Sequence, residues 1–257
     1  MYLRAAHAEF DVTQLRKFIR DNPLGIIITA IPSSNYSTIQ CSHVPWILDV
    51  SDENSSTELG RLRGHMAKAN SHSKVMSEVA EKDSNGYLEQ EILVLFNGPV
   101  HAYVTPKFYT ETKPTTGKVV PTWNYSAVQV YGKAKIYFDS KSPETGSFLQ
   151  KQLRELSQHS EEHVMGYTGG ERPSAWEVED APETYVALLQ KSIIGVEIEI
   201  ERMEGKWKMS QEIGKGDREG VVKGFEALKT EEGEKIARTV EERGKMKDDK
   251  AAAAKAA

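Results

Sequence analysis

The sequence has one cysteine, Cys41, in 257 residues. A single thiol closes no internal disulfide and builds no cysteine-based zinc site, so neither device holds this chain together. That usage fits a reducing compartment, and the expected location is the cytoplasm with access to the nucleus. Long apolar runs are missing as well. Nowhere do about eighteen apolar residues stand together, which argues against a membrane-spanning helix. The opening segment MYLRAAHAEFDVTQLRKF lacks the apolar stretch of a secretory signal. Positive charge is not in excess: 33 Lys and Arg face 38 Asp and Glu, a net charge of −5. Duplex-binding domains carry a basic stripe, and no helix-turn-helix pattern is present, so direct DNA binding is poorly motivated. The GxSxG elbow, the P-loop and the GxGxxG fingerprint are all absent, which removes the commonest hydrolase and nucleotide-binding signatures.

What is present is a chain with 39% hydrophobic and 28% charged residues, long enough to bury a sizeable core under a polar surface. Helical spacing of Val12, Leu15, Phe18 and Ile19 predicts a short helix over 11–21 that stops before Pro23. Leu24–Ile31 is a continuous apolar run and predicts a strand buried on both faces. Strands are expected at 40–48, 61–66, 92–96 and 101–105, with a helix at 67–80. Residues 125–138 alternate, placing Val128, Val130, Gly132, Ala134, Ile136 and Phe138 on one face. Helices are expected at 143–160 and 183–192, with a loop over 159–175. Ile194, Val196, Ile198 and Ile200 alternate against Gly195 and three glutamates, and Glu204-Gly205 predicts a hairpin turn into 206–210. Asp217 is the expected cap of a helix over 218–228. From 229 on the chain is charged and rich in Ala and Lys, a tail expected to be helical or disordered, with too few apolar residues to join the core. Cys41 is expected to fill a small apolar space in its strand. Many strands with hairpin spacing favour a mainly β fold with flanking helices, an α+β arrangement around a closed or partly closed antiparallel barrel.

Four segments concentrate polar residues beside strands: Ser42-His43-Val44-Pro45-Trp46, Gly64-His65-Met66-Ala67-Lys68-Ala69-Asn70, Gly98 to Pro106 (GPVHAYVTP), and Val120-Pro121-Thr122-Trp123-Asn124-Tyr125. Together they resemble the PaiB-like family of FMN-binding split-barrel proteins. The openings MYLRAAHAEFD and PLGIIITAI are similar to the family's start, and WEVEDAP, IIGVEIEIERMEGKWKMSQ and DREGVVKG to its close. The resemblance runs through residues 1–228, taken as one domain, and leaves 229–257 outside. It implies a six-stranded antiparallel split barrel, a homodimer with cofactor pockets at the subunit interface, and FMN as cofactor. Some PaiB-like relatives are haem-dependent piperazate synthases, so haem b is the alternative. The family's namesake role, transcriptional regulation acting indirectly, is a third reading. The sequence departs from the pattern in long loops at 50–57 and 78–91, and in Glu212, where the family tends to have Asn.

The candidate cofactor-binding residues are His43, Arg63, Gly64, His65, Lys68, Asn70, Trp123, Asn124, Tyr125 and Lys208. Arg63 and Lys68 put positive charge beside His65 and the backbone turn at Gly64, which suits a phosphate or propionate. Neutral His65 would be the axial ligand if haem is bound. The structural alternative is a His65 bonded to a barrel-end carbonyl, with Lys68 solvated. His43 stands just before Pro45, where a bulge re-aims side chains into a cleft or simply shapes a barrel rim. His101 and Tyr103 share one strand face and line either a pocket or an interface. Trp123 to Tyr125 offers a ring surface and an amide for a flat ligand, or else core and dimer packing. Lys113 and Lys118 flank this segment, and Lys206, Trp207, Lys208 and Ser210 repeat the basic and aromatic theme. A small-molecule redox substrate fits these groups, and no residue is assigned a catalytic role.

Overall fold

The structure is a computed structural model that describes residues 1–256. Nine strands are present among them: β1 (Ala8–Glu9), β2 (Leu24–Ala30), β3 (Ile39–Pro45), β4 (Ile47–Asp49), β5 (Arg61–Ala67), β6 (Ile92–Asn97), β7 (Ala102–Val104), β8 (Thr122–Tyr137) and β9 (Ile193–Lys208). The helices are α1 (Val12–Asp21), α2 (Ser71–Ala80), α3 (Thr112–Thr115), α4 (Pro143–His159), α5 (Glu183–Gln190), α6 (Lys215–Glu226) and α7 (Glu231–Ala256). No helix among the described residues is long and apolar enough to cross a membrane. Two compact units divide the chain. A sheet unit holds Ile19–Phe96 and Gln129–Met203, and a terminal unit holds Met1–Phe18, Asn97–Val128 and the described residues from Glu204 on.

The main strand order is β3-β2-β6-β8-β9-β5-β4. β2 pairs antiparallel with β3 and β6, and β5 with β4 and β9. The expected count of six strands is therefore too low. One addition, β1, is two residues long and too short to register as periodicity; a second, β7, lies within the strand expected at 101–105. A third comes from the expected strand 40–48, which breaks at Trp46. The Trp46 N–H turns back to the Pro23 carbonyl at 2.9 Å, separating β3 from β4. Trp46 is buried between two strands that carry glycine where they meet it. A Cβ on Gly25 would sit 2.8 Å from Trp46 Cδ1, and one on Gly64 would sit 2.9 Å from Trp46 Cε3. Gly64 is thus a packing requirement of the indole.

The expectation that β2 is buried on both faces is corrected. Gly25, Ile27 and Thr29 are buried, but Ile26 and Ile28 are half-covered and Leu24 is exposed. Their partners Leu95 and Leu93 on β6 are half-covered too. An unbroken apolar run does not by itself report whether its second face is covered within the chain. On the neighbouring β3, Cys41 pairs with Ile28 and is exposed, so it does not fill a core space as expected.

In the terminal unit the predicted hairpin at Glu204-Gly205 does not form, and β9 runs straight through it for 16 residues. β1 pairs here, Glu9 with Gly205 and Ala8 with Lys206, which keeps the backbone extended. Gly205 makes room for its neighbours: a Cβ there would fall on Leu15 and lie 2.9 Å from the Trp207 ring. Residues 231–256 are helical, and Ile236 and Val240 are fully buried, so the tail contributes to a core after all. Arg243 anchors it, bonding Glu9 at 2.7 Å and lying 4.1 Å from the Trp207 ring centroid, while Arg218 pairs with Asp248. Gly233, Ile236, Ala237, Val240 and Gly244 are all buried, and at this spacing they lie on one stripe of the helix. Asp217 also departs from its expected role. It sits inside α6 and accepts hydrogen bonds from Glu111 N–H at 2.8 Å, Thr112 N–H at 3.1 Å and the Thr112 hydroxyl, so it serves the start of α3.

Candidate functional site

β5 carries three of the candidate residues, Arg63, Gly64 and His65. Leu62, Gly64 and Met66 are buried on one face, and Arg61, Arg63, His65 and Ala67 occupy the other. Arg63 is almost completely buried and fully engaged. It bonds Asp49 through Nε and through Nη2 at 2.8 Å, Glu155 through Nη2, and Gln152 Oε1 through Nη1 at 3.1 Å. Burial works against its charge, but the bonds and charges of Asp49 and Glu155 more than offset it and raise its pKa. Arg63 is therefore committed to two carboxylates of its own chain. His65 is half-buried, and its Nδ1 is buried with no hydrogen-bond partner. Burial holds its pKa below the ordinary value, so the ring is neutral at pH 7. A buried nitrogen without a partner is a cost that the fold carries at this position. Across the strand His65 pairs with Gly195, where a side chain would collide with Phe148.

Lys68 is half-buried; its backbone N–H bonds the Ser192 carbonyl at 2.8 Å, and its ammonium has no ion pair among the described residues. Asn70 caps α2, its Oδ1 accepting from the His72 N–H at 2.9 Å, which is why the helix starts at 71 and not at the expected 67. Its amide nitrogen bonds Ser42 Oγ at 3.2 Å. His43 is exposed on β3, opposite Ile26.

Sequence reasoning passed over His72, which proves to be the most enclosed histidine of this unit. Its ring is fully buried, with Nε2 2.9 Å from Thr29 Oγ1 and Nδ1 3.1 Å from Ser42 Oγ. Ser42 Oγ accepts from the Asn70 amide, and the two hydroxyls, each able to donate or accept, satisfy both nitrogens of the neutral ring. The only available signal was the N-cap pattern at Asn70, which says nothing about where His72 points. Burial lowers its pKa from 6.5 to about 4. A histidine depressed in the folded state contributes stability that is complete above the unfolded value and is lost as pH falls toward the folded one. Between pH 7 and 5 that loss should be about 2 kcal/mol, at about 1.4 kcal/mol per pH unit below the unfolded value. Urea unfolding at both pH values checks it: His72→Gln should flatten the pH slope, and an unchanged slope would assign the acid sensitivity elsewhere.

In the terminal unit, Trp123 pairs with Tyr103 across β7 and β8. Their ring centroids are 6.0 Å apart, and His101 adds a third ring 5.8 Å from Trp123. Trp123 is 54% exposed and Tyr103 47% exposed, so the rings form an open surface. Asn124 points the other way, is fully buried, and bonds Ser210 at 3.0 Å. Ser210 has φ 63°, an unusual left-handed backbone that this bond helps hold. Tyr125 is half-buried beneath Lys206, whose Nζ lies 5.4 Å from the ring centroid. Lys208 is held by the Thr122 hydroxyl, the Trp123 carbonyl at 2.9 Å and Glu212 at 3.4 Å. Glu212 also bonds buried His7 at 2.9 Å. Burial raises the Glu212 pKa, but its backbone bond, His7 and Lys208 outweigh this and leave it lowered. Glu212 thus partly neutralises Lys208. Lys113 and Lys118 remain exposed before β8.

These residues can be set beside known proteins. The family model described as "Putative FMN-binding domain" matches residues 1–202. An uncharacterized protein of Aspergillus fumigatus is 59% identical over 261 residues, covering 97% of this chain and 100% of that one. The Bacillus subtilis protease synthase and sporulation protein PAI 2 is 25% identical over 231 residues, covering 90% of this chain and 88% of that one. Among solved structures, the flavocytochrome Anf3 of Azotobacter vinelandii aligns at a TM-score of 0.44 with 12% identity, covering 78% of this chain and 69% of that one. The chain belongs to the PaiB-like family of FMN-binding split-barrel proteins.

Proposed function

We propose that the protein is a redox flavoprotein in which the Trp123, Tyr103 and His101 surface receives the isoalloxazine ring of FMN. The observation that supports this most directly is the exposure of Trp123 together with Tyr103 and His101, each of which meets the Trp123 ring. Flat conjugated ligands gain by stacking on such a surface. Exposed Lys113 and Lys118 on the approach to β8 supply anion donors for the phosphate. Bound FMN would supply hydride or single-electron transfer to a small-molecule substrate. The chain's own residues orient the ring and set its surroundings. Lys208, anchored by Thr122, Trp123 and Glu212, holds the Trp123 backbone in place. The reading includes a homodimer with the cofactor at the subunit interface. The half-covered apolar face of Ile26, Ile28, Leu93 and Leu95, bordered by exposed Leu24 and Ile39, supports it.

A second cofactor has an observation of its own in the other unit. His65 offers a half-buried ring kept neutral by burial, the form in which an axial histidine binds haem iron.

One preparation addresses both readings. Protein purified from a host that makes flavin and haem should be yellow, release FMN on denaturation, and have twice the mass of one chain by light scattering. Stripped protein should rebind FMN, and Trp123→Ala should weaken that binding about tenfold, in line with about 1–1.5 kcal/mol for an aromatic stacking contact. Undiminished binding in Trp123→Ala would move the flavin off this surface. A Soret band in place of the flavin spectrum, lost in His65→Ala, would favour haem.

A further inference from the structure

A pair of histidines lies outside every group considered so far. α4 runs into a single π-type turn, Ser160–Val164, closed by the Met165 N–H on the Ser160 carbonyl at 3.0 Å. Such turns are uncommon and concentrate at functional positions. At this junction the rings of His159 and His163 lie with centroids 4.9 Å apart and planes inclined by 41°. His163 is exposed and His159 is half-buried, so the gap between them opens to solvent.

We propose that His159 and His163 form a two-histidine chelate for a divalent transition cation of the copper, nickel and zinc class, with water filling the remaining positions. The spacing fits. A metal–nitrogen bond of about 2.05 Å and a ring centroid about 1.2 Å behind the nitrogen place each centroid about 3.2 Å from the ion. Centroids 4.9 Å apart then subtend about 100° at the metal, between the square and tetrahedral angles. The His159 ring also hydrogen-bonds the Arg20 backbone, the kind of contact that orients ligating histidines. Burial, with the His163 and Arg20 charges, lowers the His159 pKa and keeps the ring in the neutral, ligating form.

The nearby carboxylates are engaged. Glu155 holds Arg63, Glu161 accepts from the Trp176 N–H at 3.1 Å, and Glu162 accepts from Gln158 at 3.2 Å. Among the described residues no three metal-ligating side chains converge. The site is therefore open and exchangeable, unlike a closed structural zinc centre, and affinity should rise from cobalt through nickel to copper.

Titration calorimetry of the full chain, freed of metal, with nickel chloride in a non-chelating buffer tests the site. One equivalent should bind, and both His163→Ala and His159→Gln should weaken it at least about tenfold. With one equivalent of copper, the paramagnetic spectrum should show two nitrogen couplings in the parent and one in either variant. His163 is exposed, so its variant folds even if His159→Gln does not. Binding of unchanged affinity in His163→Ala, or no nickel binding by the parent, would overturn the proposal.

Discussion

Arg63→Ala should lower the stability of the protein by about 3 kcal/mol, the low end of the cost of breaking a buried ion pair. The arginine side chain is 3% exposed and meets Asp49 and Glu155, each 37% exposed. Removing it leaves two carboxylates facing each other, with Lys151 at 4.0 Å and 3.9 Å as their remaining cation. The partial exposure of those carboxylates keeps the effect from reaching the upper end of the range, because water screens what remains. Gln152 is fully buried, already has an unpartnered Nε2, and would lose the partner of its Oε1 as well. Arg63→Lys should recover only part of the loss, since a point charge cannot reproduce a fork that bonds three side chains. The midpoint of urea unfolding at unchanged slope is the measurement. A cost under about 1 kcal/mol would mean that the network is no more than a surface ion pair.

Gly132→Ala is the second large effect, with an expected cost of at least about 3 kcal/mol, the upper end of overpacking. The new methyl group would land on the Glu199 carbonyl oxygen, and it would also lie 3.2 Å from Ile198 Cγ2. The obstacle is backbone in the neighbouring strand, so no rotamer change relieves it. Gly146→Ala provides the contrast. It lies in α4 with nothing within 4 Å of the added carbon, so it should be neutral or stabilise by about 0.5–1 kcal/mol. Soluble yield and unfolding midpoint of the two variants should diverge. Equal midpoints would show that β8 and β9 can part at Gly132 without cost.

These outcomes depend on contacts that separate unevenly into what a linear reading shows and what it hides. The alternation at 128–136 and 194–200 places the buried residues of β8 and β9 correctly, because side-chain direction in a strand follows position alone. The same rule misleads at Glu204-Gly205, a dipeptide with turn chemistry that β1 holds extended. It also misleads at Leu24–Ala30, whose composition suits two covered faces although one is half-open. Among the site residues, the motif around Gly64 and His65 marked a chemically dense segment. It did not reveal that Arg63 is spent on Asp49 and Glu155, that Lys208 is shared with Glu212, or that His72 lies at the centre of a buried polar network.

By itself the sequence determined the family, the β-rich class, most strand and helix positions, and the lack of disulfide, membrane-span and duplex-binding signatures. Those properties follow from composition, local periodicity and motif order, which need no knowledge of what meets what. Tertiary structure alone decided which charges remain free, which rings stay open and whether the tail packs. Arg63 meets Glu155 from 92 residues away, Asn124 meets Ser210 from 86, and Arg243 meets Glu9 from 234. A side chain's charge and reactivity are set by the groups within a few ångströms of it, and at such separations no local pattern specifies them.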